Sequence, residues 1–369
     1  MRESLFGRRE VLLGGAGLGL AASGLRRLDP VRRTPLSPRQ LAGQRVIFSY
    51  PGLTPPSSLL RQISAGEAAG VIFFGENISS EAQIASVIRR LKAANARSPV
   101  RAPLLLMTDQ EGGLVRRLPG APVLSQKQIG RSADPAAQAA LAGTGAGRNL
   151  AGAGMNVNLA PVLDVYRQAG NFIEQFQRSY SNSPRIVADC GEAFIAAQQR
   201  TGVAATAKHF PGLGAAATSQ NTDLGPVTLR LPRAALRSVD ERPYPPAITA
   251  GVKLIMASWA VYPAFDSKRP AGLSSAVVQR ELRGRLGFKG VTITDALEAG
   301  ALSPYGSYAH RAVLAAQAGM DLLLASARDV GQGQAVVTGL ATALGNGTLG
   351  AAAFAAAVKR ATALRLSLH

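Results

Sequence analysis

The stretch Ala207-Lys208-His209-Phe210-Pro211-Gly212-Leu213-Gly214 decides how the rest of the sequence is interpreted. Residues 203–207, which lead into it, are mostly apolar, as is typical of a short buried strand. Pro-Gly-Leu-Gly after it can neither continue a strand nor begin a regular helix. Lys208 and His209 are therefore predicted to lie where a buried strand ends and a loop opens. In parallel α/β folds, ligands bind at that edge.

Eight short apolar runs along the chain predict eight strands. Longer alanine-rich segments separate several of them and predict helices, at residues 80–94, 135–152, 186–200 and 276–286. Near-continuous apolar strands that alternate with helices indicate a parallel sheet covered on both faces. The eight runs are residues 45–49, 70–74, 104–108, 157–160, 203–207, 254–257, 291–294 and 321–324.

The count of eight predicts an α/β fold of the (β/α)8 barrel type in a single domain. Such barrels take about 250 residues with room for insertions, and residues 39–369 are assigned to one. A doubly wound open sheet is the alternative, but no GxGxxG motif opens a helix after a strand. The alanine-rich residues 336–363 are predicted to form the closing helices, which leaves nothing for a second domain.

Composition narrows the class of protein. Hydrophobic residues make up 47%, enough for a sizeable core, and the single Cys190 excludes an internal disulfide framework. Three histidines without metal spacing do not predict a metal site.

The net charge of +19 suits nucleic acid or an anionic cell envelope. However, the basic residues are scattered and form no DNA-binding motif, so nucleic acid is not expected and arginine-rich usage without a partner explains the charge.

The N-terminus resembles an export signal. Gly7-Arg8-Arg9-Glu10-Val11-Leu12-Leu13 resembles a twin-arginine motif, and an apolar run over residues 11–22 follows it. That run is too short to span a bilayer as a stable helix. Residues 1–38 are therefore predicted to be an export signal and linker, which places the mature protein outside the cell or in its envelope. A disordered N-terminus with a chance Arg-Arg pair is the alternative.

Polar side chains follow several predicted strands at the same end of each strand. In a barrel those positions face one common pocket. Carboxylates that converge with lysine, histidine and arginine suit general acid–base chemistry or glycosyl transfer. The residues are Asp109, Arg116 and Arg117 after strand three, Asp164 after strand four, Lys208 and His209 after strand five, Ser258 and Trp259 after strand six, and Asp295 after strand seven.

Five sequence blocks occur in order along the chain: Asp-Gln-Glu-Gly-Gly (109–113), Asn-Leu-Ala-Pro-Val-Leu-Asp (158–164), Arg-Ser-Tyr (178–180), Lys-His-Phe-Pro-Gly (208–212) and Val-Thr-Ile-Thr-Asp (291–295). Together they resemble the catalytic domain of glycoside hydrolase family 3, in its single-domain β-N-acetylhexosaminidase branch. The resemblance covers residues 40–330. Each block alone is a weak signal, whereas their combination at this spacing is highly specific.

The resemblance implies a retaining exo-glycosidase that needs no metal or organic cofactor and uses Asp295 as its nucleophile. The implied substrate is a β-linked N-acetylglucosaminide, such as a muropeptide-like fragment of a cell wall. Nearby lysine and arginine charges would keep a nucleophilic carboxylate ionised, and covalent catalysis splits the displacement into two steps. The residues that the resemblance assigns to binding of the sugar are Asp109, Arg117, Arg178, Lys208 and His209.

The sequence departs from the family in the loop after Lys-His-Phe-Pro-Gly. The family carries Asp-Ser-His there, and its histidine is the general acid/base, whereas this chain has Ser219-Gln220-Asn221. Asparagine cannot exchange a proton near neutral pH. We hypothesise that Asp223 replaces the histidine, on a mobile loop. The alternatives are a sugar-binding protein that has lost its acid/base, with Asp223 capping a turn, and a β-glucosidase-type exo-glycosidase.

Three further residues are left open by the sequence. Glu174 and Glu298 are carboxylates on predicted loops, and Glu298 is expected to start a helix. Trp259, the only tryptophan, stands where the family often has histidine. A tryptophan at a strand end fits stacking on a sugar face as well as packing under the rim of the barrel.

Overall fold

Eight parallel strands close into a barrel in the computed structural model, which describes residues 35–368. Each strand pairs with the strands before and after it in the chain. The last strand pairs with the first through Val46–Leu323 and Ile47–Leu324, which closes the ring. The predicted single-domain (β/α)8 barrel is thus confirmed. The strands are β1 (Val46–Phe48), β2 (Gly70–Ile72), β3 (Leu105–Thr108), β4 (Val157–Asn158), β5 (Ala204–Phe210), β6 (Leu254–Ala257), β7 (Val291–Ala296) and β8 (Leu322–Leu324).

Helices and helical turns lie between the strands and follow the last one. The predicted helices at residues 80–94, 135–152 and 186–200 are confirmed to within two residues. The helices are α1 (Pro38–Gly43), α2 (Ser57–Ser64), α3 (Glu81–Asn95), α4 (Gln126–Gly130), α5 (Pro135–Ala153), α6 (Pro184–Gln199), α7 (Arg233–Ala235), α8 (Tyr244–Thr249), α9 (Tyr308–Ala318), α10 (Val330–Gly345) and α11 (Ala351–Ser367).

Two predicted helical segments differ in detail. Ala276–Arg285 is wound as a π-helix, and its widened spacing continues at its end, where the Leu286 N–H donates to the Glu281 carbonyl five residues back. The closing segment, residues 336–363, is divided between α10 and α11. The break contains Gly347, whose φ of +80° is a conformation that glycine adopts without strain.

Local sequence fixes the long helix that leads into β4. Asp134 caps α5 by accepting a hydrogen bond from the Ala137 N–H, and Pro135 occupies the first turn, where its missing N–H costs nothing. Gly154 ends the helix in the left-handed conformation, with φ of +90°. The chain therefore turns back into the barrel three residues before Val157.

Both faces of the strands are buried, which explains their near-continuous apolar sequences. In β3, Leu105 and Met107 belong to the cluster inside the barrel, whereas Leu106 packs in the layer between strands and helices.

Cys190 is fully buried in α6, and loss of hydration raises the pKa of its thiol to about 12. It is therefore a packing residue rather than a reactive thiol.

None of the helices within residues 35–368 is long and apolar enough to cross a bilayer. The predicted twin-arginine-like signal lies outside the described residues. Pro38, the last residue of the predicted linker, is the first residue of α1. The proposed division of the chain at residue 38 stays a prediction.

Candidate active site

A cavity of about 500 Å³ opens at the carboxyl ends of the barrel strands. Leu159, Met256 and Leu324, which belong to the cluster inside the barrel, contribute to its wall. Arg116, Ser258 and Trp259 do not line this cavity, which corrects the expectation that they face the common pocket. The residues that the family resemblance assigned to the site, together with Asp223, do line it, because parallel strands deliver the residues at their carboxyl ends to the same face of a barrel. They are Asp109, Arg117, Arg178, Lys208, His209, Asp223 and Asp295.

Lys208 and His209 belong to β5, which corrects the prediction that the strand ends at residue 207. The ladder to the preceding segment continues past the apolar run: the Lys208 N–H donates to the Pro161 carbonyl at 3.2 Å. The Lys208 carbonyl in turn accepts from the Leu163 N–H at 2.6 Å. These backbone bonds hold two polar residues in extended conformation at the cavity wall.

A buried carboxylate links the two principal cations of the site. Glu111 is 1% exposed, and its Oε1 lies 2.8 Å from Lys208 Nζ. Arg178 contacts both carboxylate oxygens, at 2.9 Å from Nε and 2.8 Å from Nη2. Lys208 Nζ also lies 2.7 Å from Asp109 Oδ1. Glu111 therefore positions Lys208 and Arg178 from behind, while Asp109 and both cations reach the cavity.

This cluster is charged at neutral pH. Burial by itself would raise the pKa of Glu111, but the charges of Arg178 and Lys208 outweigh it and lower that pKa to about 2. Burial would likewise lower the pKa of Lys208, but Asp109 and Glu111 raise it above its ordinary value. Glu111 was missed as a site residue, although it is the second acid of Asp-Gln-Glu-Gly-Gly.

His209 is oriented by a second buried carboxylate. Its Nδ1 lies 2.7 Å from Asp164 Oδ2, and Asp164 is fully buried. Asp164 Oδ1 accepts from the backbone N–H groups of His209, at 3.2 Å, and Leu213, at 2.7 Å. Within residues 35–368, Nε2 of the His209 ring makes no hydrogen bond and is free to meet a ligand. The sequence predicted that Asp164 faces the common pocket, which is corrected here: Asp164 does not line the cavity and instead orients His209.

Asp295 lies near the end of β7, and its Oδ1 accepts from the Ala296 N–H at 2.8 Å. Asp223 stands at the exposed mouth of the same cavity. Loss of hydration among the surrounding walls raises the pKa of Asp223, and the negative charge of Asp295 raises it further. Arg178 and His209 act in the opposite direction without cancelling the effect. The cavity thus holds two carboxyl groups that interact electrostatically, and the pKa of Asp223 is raised.

The loop that carries Asp223 is bonded to the loop that follows Asp295. The Asp223 carbonyl accepts from the Gly300 N–H at 2.8 Å, and the Thr222 carbonyl accepts from the Ala301 N–H at 2.9 Å. Thr222 is 3% exposed and lines the cavity. The loop predicted to be mobile is therefore bonded to its neighbour on the side that faces the cavity.

Arg117 lines the cavity and has one unsatisfied buried donor within residues 35–368. Its Nε is buried and has no hydrogen-bond partner among the described residues, and its side chain lines the cavity. Buried donors are normally paired, so this unpaired Nε is an exception to the usual pairing of buried donors.

The remaining open residues have structural contacts. Glu298 does not start a helix, which corrects that expectation. Its carboxylate accepts hydrogen bonds from Ser326 Oγ at 2.7 Å and from Gln332 Nε2 at 3.0 Å. Glu298 therefore links the loops after β7 and β8 at the cavity wall. Glu174 is buried, pairs with Lys127, and is not part of the cavity wall. Among residues 35–368, no group of three His, Cys, Asp or Glu is arranged to hold a metal ion.

Trp259 packs under the rim of the barrel rather than facing the cavity. It is 1% exposed, and its Nε1 donates to the Ala296 carbonyl at 2.8 Å. Its ring lies against Gly272, where an added Cβ would be 2.4 Å from Cζ3. The indole therefore supports the backbone next to Asp295 from outside the cavity.

Comparisons with known proteins agree with this geometry. The family described as Glycosyl hydrolase family 3 N terminal domain matches residues 48–364. An "Uncharacterized secreted glycosyl hydrolase" of Arthroderma benhamiae is 50% identical over 329 residues, which cover 89% of this chain and 93% of that protein.

Two solved structures share this fold, and each has 33% sequence identity to this chain. A glycoside hydrolase family 3 β-N-acetylglucosaminidase from Paenibacillus sp. str. FPU-7 matches with a TM-score of 0.85 and 33% identity, over 90% of this chain and 63% of that one. The β-N-acetylhexosaminidase of Beutenbergia cavernae matches with a TM-score of 0.82 and 33% identity, over 90% and 99%. The barrel, the cavity at its carboxyl end and these matches together establish that the chain belongs to glycoside hydrolase family 3.

Proposed function

We propose that this chain is a retaining exo-glycosidase of β-linked N-acetylglucosaminides, with Asp295 as nucleophile and Asp223 as acid/base. The observation that carries the proposal is the pairing of two interacting carboxyl groups in one cavity, with the pKa of Asp223 raised. A glycosidase needs one carboxylic acid to protonate the leaving group and one carboxylate to attack. The named activities of the two solved relatives support the choice of sugar.

In the first step, an Asp295 oxygen forms a bond to the anomeric carbon as the bond to the glycosidic oxygen breaks. Asp223 gives its proton to that departing oxygen and becomes a carboxylate. In the second step, Asp223 takes a proton from water, whose oxygen replaces Asp295 on the anomeric carbon. The retaining geometry requires a separation of about 5–5.5 Å between the two carboxyl groups in the working complex.

The other residues of the cavity hold the sugar. Asp109 accepts from a hydroxyl while Lys208 and Arg178 donate, and Glu111 keeps both cations in place. Arg117, which lines the cavity, supplies a further cation. The cavity ends inside a filled barrel and has a volume of about 500 Å³, within the range of small-ligand pockets. A terminal sugar fits such a blind cavity with the glycosidic oxygen at its mouth, where Asp223 lies.

We place the enzyme outside the cell or in its envelope, with cell-wall-derived β-N-acetylglucosaminides, including muropeptide-like fragments, as substrates. The twin-arginine-like sequence at residues 7–13 supports export. The name of the Arthroderma relative, a secreted glycosyl hydrolase, agrees with that location.

The test is hydrolysis of two aryl β-N-acetylglucosaminides, one with an activated and one with a poor leaving group. Asp295→Ala should abolish turnover of both. Asp223→Ala should reduce turnover of the poor leaving group by about 10²–10⁴-fold and of the activated one far less, because an activated leaving group needs little protonation. Asp189→Ala, which removes an exposed carboxylate from α6, is the matched control and should leave both rates unchanged.

Each alternative has its own outcome in this assay. An unmutated chain that binds N-acetylglucosamine without turning over either substrate would be a sugar-binding protein. Preference for aryl β-glucosides over N-acetylglucosaminides would assign it to the β-glucosidases. Equal losses with both leaving groups in Asp223→Ala would remove Asp223 from the acid/base role.

A further inference from the structure

We propose that Gly300 is a positioning residue that holds Asp223 at its working place opposite Asp295. The inference rests on the proposed function of these two carboxyl groups. Two segments are involved. The acid loop comprises residues 214–225, which carry Asp223, and the nucleophile loop comprises residues 297–305, which follow Asp295.

The two loops are joined by a pair of adjacent backbone hydrogen bonds. Gly300 donates to the Asp223 carbonyl at 2.8 Å, and Ala301 donates to the Thr222 carbonyl at 2.9 Å. One of the two acceptors therefore belongs to the candidate acid/base itself. The position of Asp223 relative to Asp295 depends directly on this junction.

The junction leaves no room for a side chain at position 300. A Cβ on Gly300 would lie 2.4 Å from the carbonyl carbon and 2.4 Å from the carbonyl oxygen of Leu224, and 2.9 Å from the Asp223 carbonyl oxygen. All three are backbone atoms, so no side-chain rotation relieves the contact. Gly300 is not among the glycines with positive φ. Glycine is therefore required at position 300 because the two loops approach each other closely, and not because of the backbone conformation there.

The direction of the displacement follows from what holds each loop. Asp295 is fixed by β7, whose Ala296 pairs with Leu324 of β8, and the Leu297 N–H donates to the Leu324 carbonyl at 3.0 Å. On the other side, Leu224 is 82% exposed, so the acid loop has solvent behind it. A methyl group at position 300 therefore pushes the acid loop outward and carries Asp223 away from the nucleophile.

The acid loop contains its own matched control. Gly225 has no atom within 4 Å of the position that a Cβ would take, and its φ is also not positive. Gly225→Ala therefore makes the same chemical change two residues from Asp223 without pressing on the nucleophile loop. Any difference between Gly300→Ala and Gly225→Ala reports on the junction and not on the loss of a glycine.

The experiment measures kcat/KM of Gly300→Ala and Gly225→Ala with the activated and the poor leaving group. We expect Gly300→Ala to lose about 10-fold to 10²-fold on the poor leaving group and less than 3-fold on the activated one. Gly225→Ala should remain within 2-fold of the unmutated enzyme on both. The double variant Gly300→Ala with Asp223→Ala should be no slower than Asp223→Ala alone, because both changes remove the same proton donation.

Equal losses on both leaving groups in Gly300→Ala, or losses that multiply with those of Asp223→Ala, would overturn the inference. If Gly300→Ala does not fold, Ala301→Pro tests the same junction, because it removes the N–H that bonds to Thr222 and adds no atom at position 300. The proposed function fails separately: it falls if Asp223→Ala has no leaving-group dependence. If Asp223→Ala shows that dependence and the junction variants do not, only the role of Gly300 is refuted.

Discussion

Glu111→Gln tests whether a buried carboxylate organises the cations of the site. The substitution keeps the shape of the side chain and removes the charge that faces Lys208 and Arg178. The pKa of Glu111, about 2, lies about 2.5 pH units below its ordinary 4.5. At about 1.4 kcal/mol for each pH unit, the charged form stabilises the fold by about 3 kcal/mol. Measured costs of breaking one side of a buried ion pair are about 3–5 kcal/mol, which is consistent.

The dependence of this effect on pH has a definite sign. Because the pKa of Glu111 is lowered by folding, its stabilisation is present above pH 4.5 and is lost as the pH falls toward 2. The difference in unfolding free energy between the unmutated protein and Glu111→Gln should therefore be about 3 kcal/mol at pH 7 and less than half of that at pH 3. Equilibrium denaturation in urea at the two pH values measures both quantities.

The same variant should weaken binding of the sugar. Without Glu111, Lys208 and Arg178 lose their common anchor, and KM should rise at least 10-fold while the protein stays folded. Glu281→Gln is the control: Glu281 is a buried carboxylate that pairs with Arg237 and Arg285 outside the cavity, so its loss should reduce stability and leave KM unchanged. A Glu111→Gln enzyme within 1 kcal/mol and 2-fold in KM of the unmutated one would refute the role of Glu111.

Two further substitutions test residues around the cavity. Trp259→Phe removes the hydrogen bond to the Ala296 carbonyl and should cost about 1–3 kcal/mol of unfolding free energy, with KM within 3-fold; a 10-fold rise in KM would mean that the indole contacts the sugar. Asp240 is fully buried beside Arg167, and loss of hydration outweighs that cation and raises its pKa to about 6. Since folding raises this pKa, the free energy of unfolding should fall as the pH rises from about 4 to 6. Urea denaturation of Asp240→Asn should show that this part of the pH dependence is lost. An unchanged dependence of stability on pH in the variant would contradict the prediction.

The architecture was predictable because its signal is local. Eight apolar runs are visible in the sequence since strands buried on both faces need apolar residues at successive positions. The end of β5 was not predictable in this way. Lys208 and His209 extend the strand through backbone bonds to residues 161–163, and no side-chain pattern reports a backbone ladder.

The site was predictable as a set of residues, but not as a set of contacts. The sequence identified the cavity residues to which the proposed chemistry assigns roles, whereas the partners that orient them are distant in the chain. Glu111 is 67 residues from Arg178, and Asp164 is 45 residues from His209. The role proposed for Gly300 could not be predicted for the same reason. A glycine that is required where two distant loops approach each other leaves no recognisable pattern in the sequence around it.

The pairing of β1 with β8 has a consequence for synthesis of the chain. The first strand ends at Phe48 and its partner begins at Leu322, so the ribosome must add more than 270 residues after β1 before the ring can close. Until then β1 and the newest strand both present open edges, which attract other chains. The loop after β8, which holds Glu298 through Ser326, is made later still. A nascent chain therefore has an incomplete cavity until β8 and the loop after it have been made, and hydrolytic activity can begin only after that point.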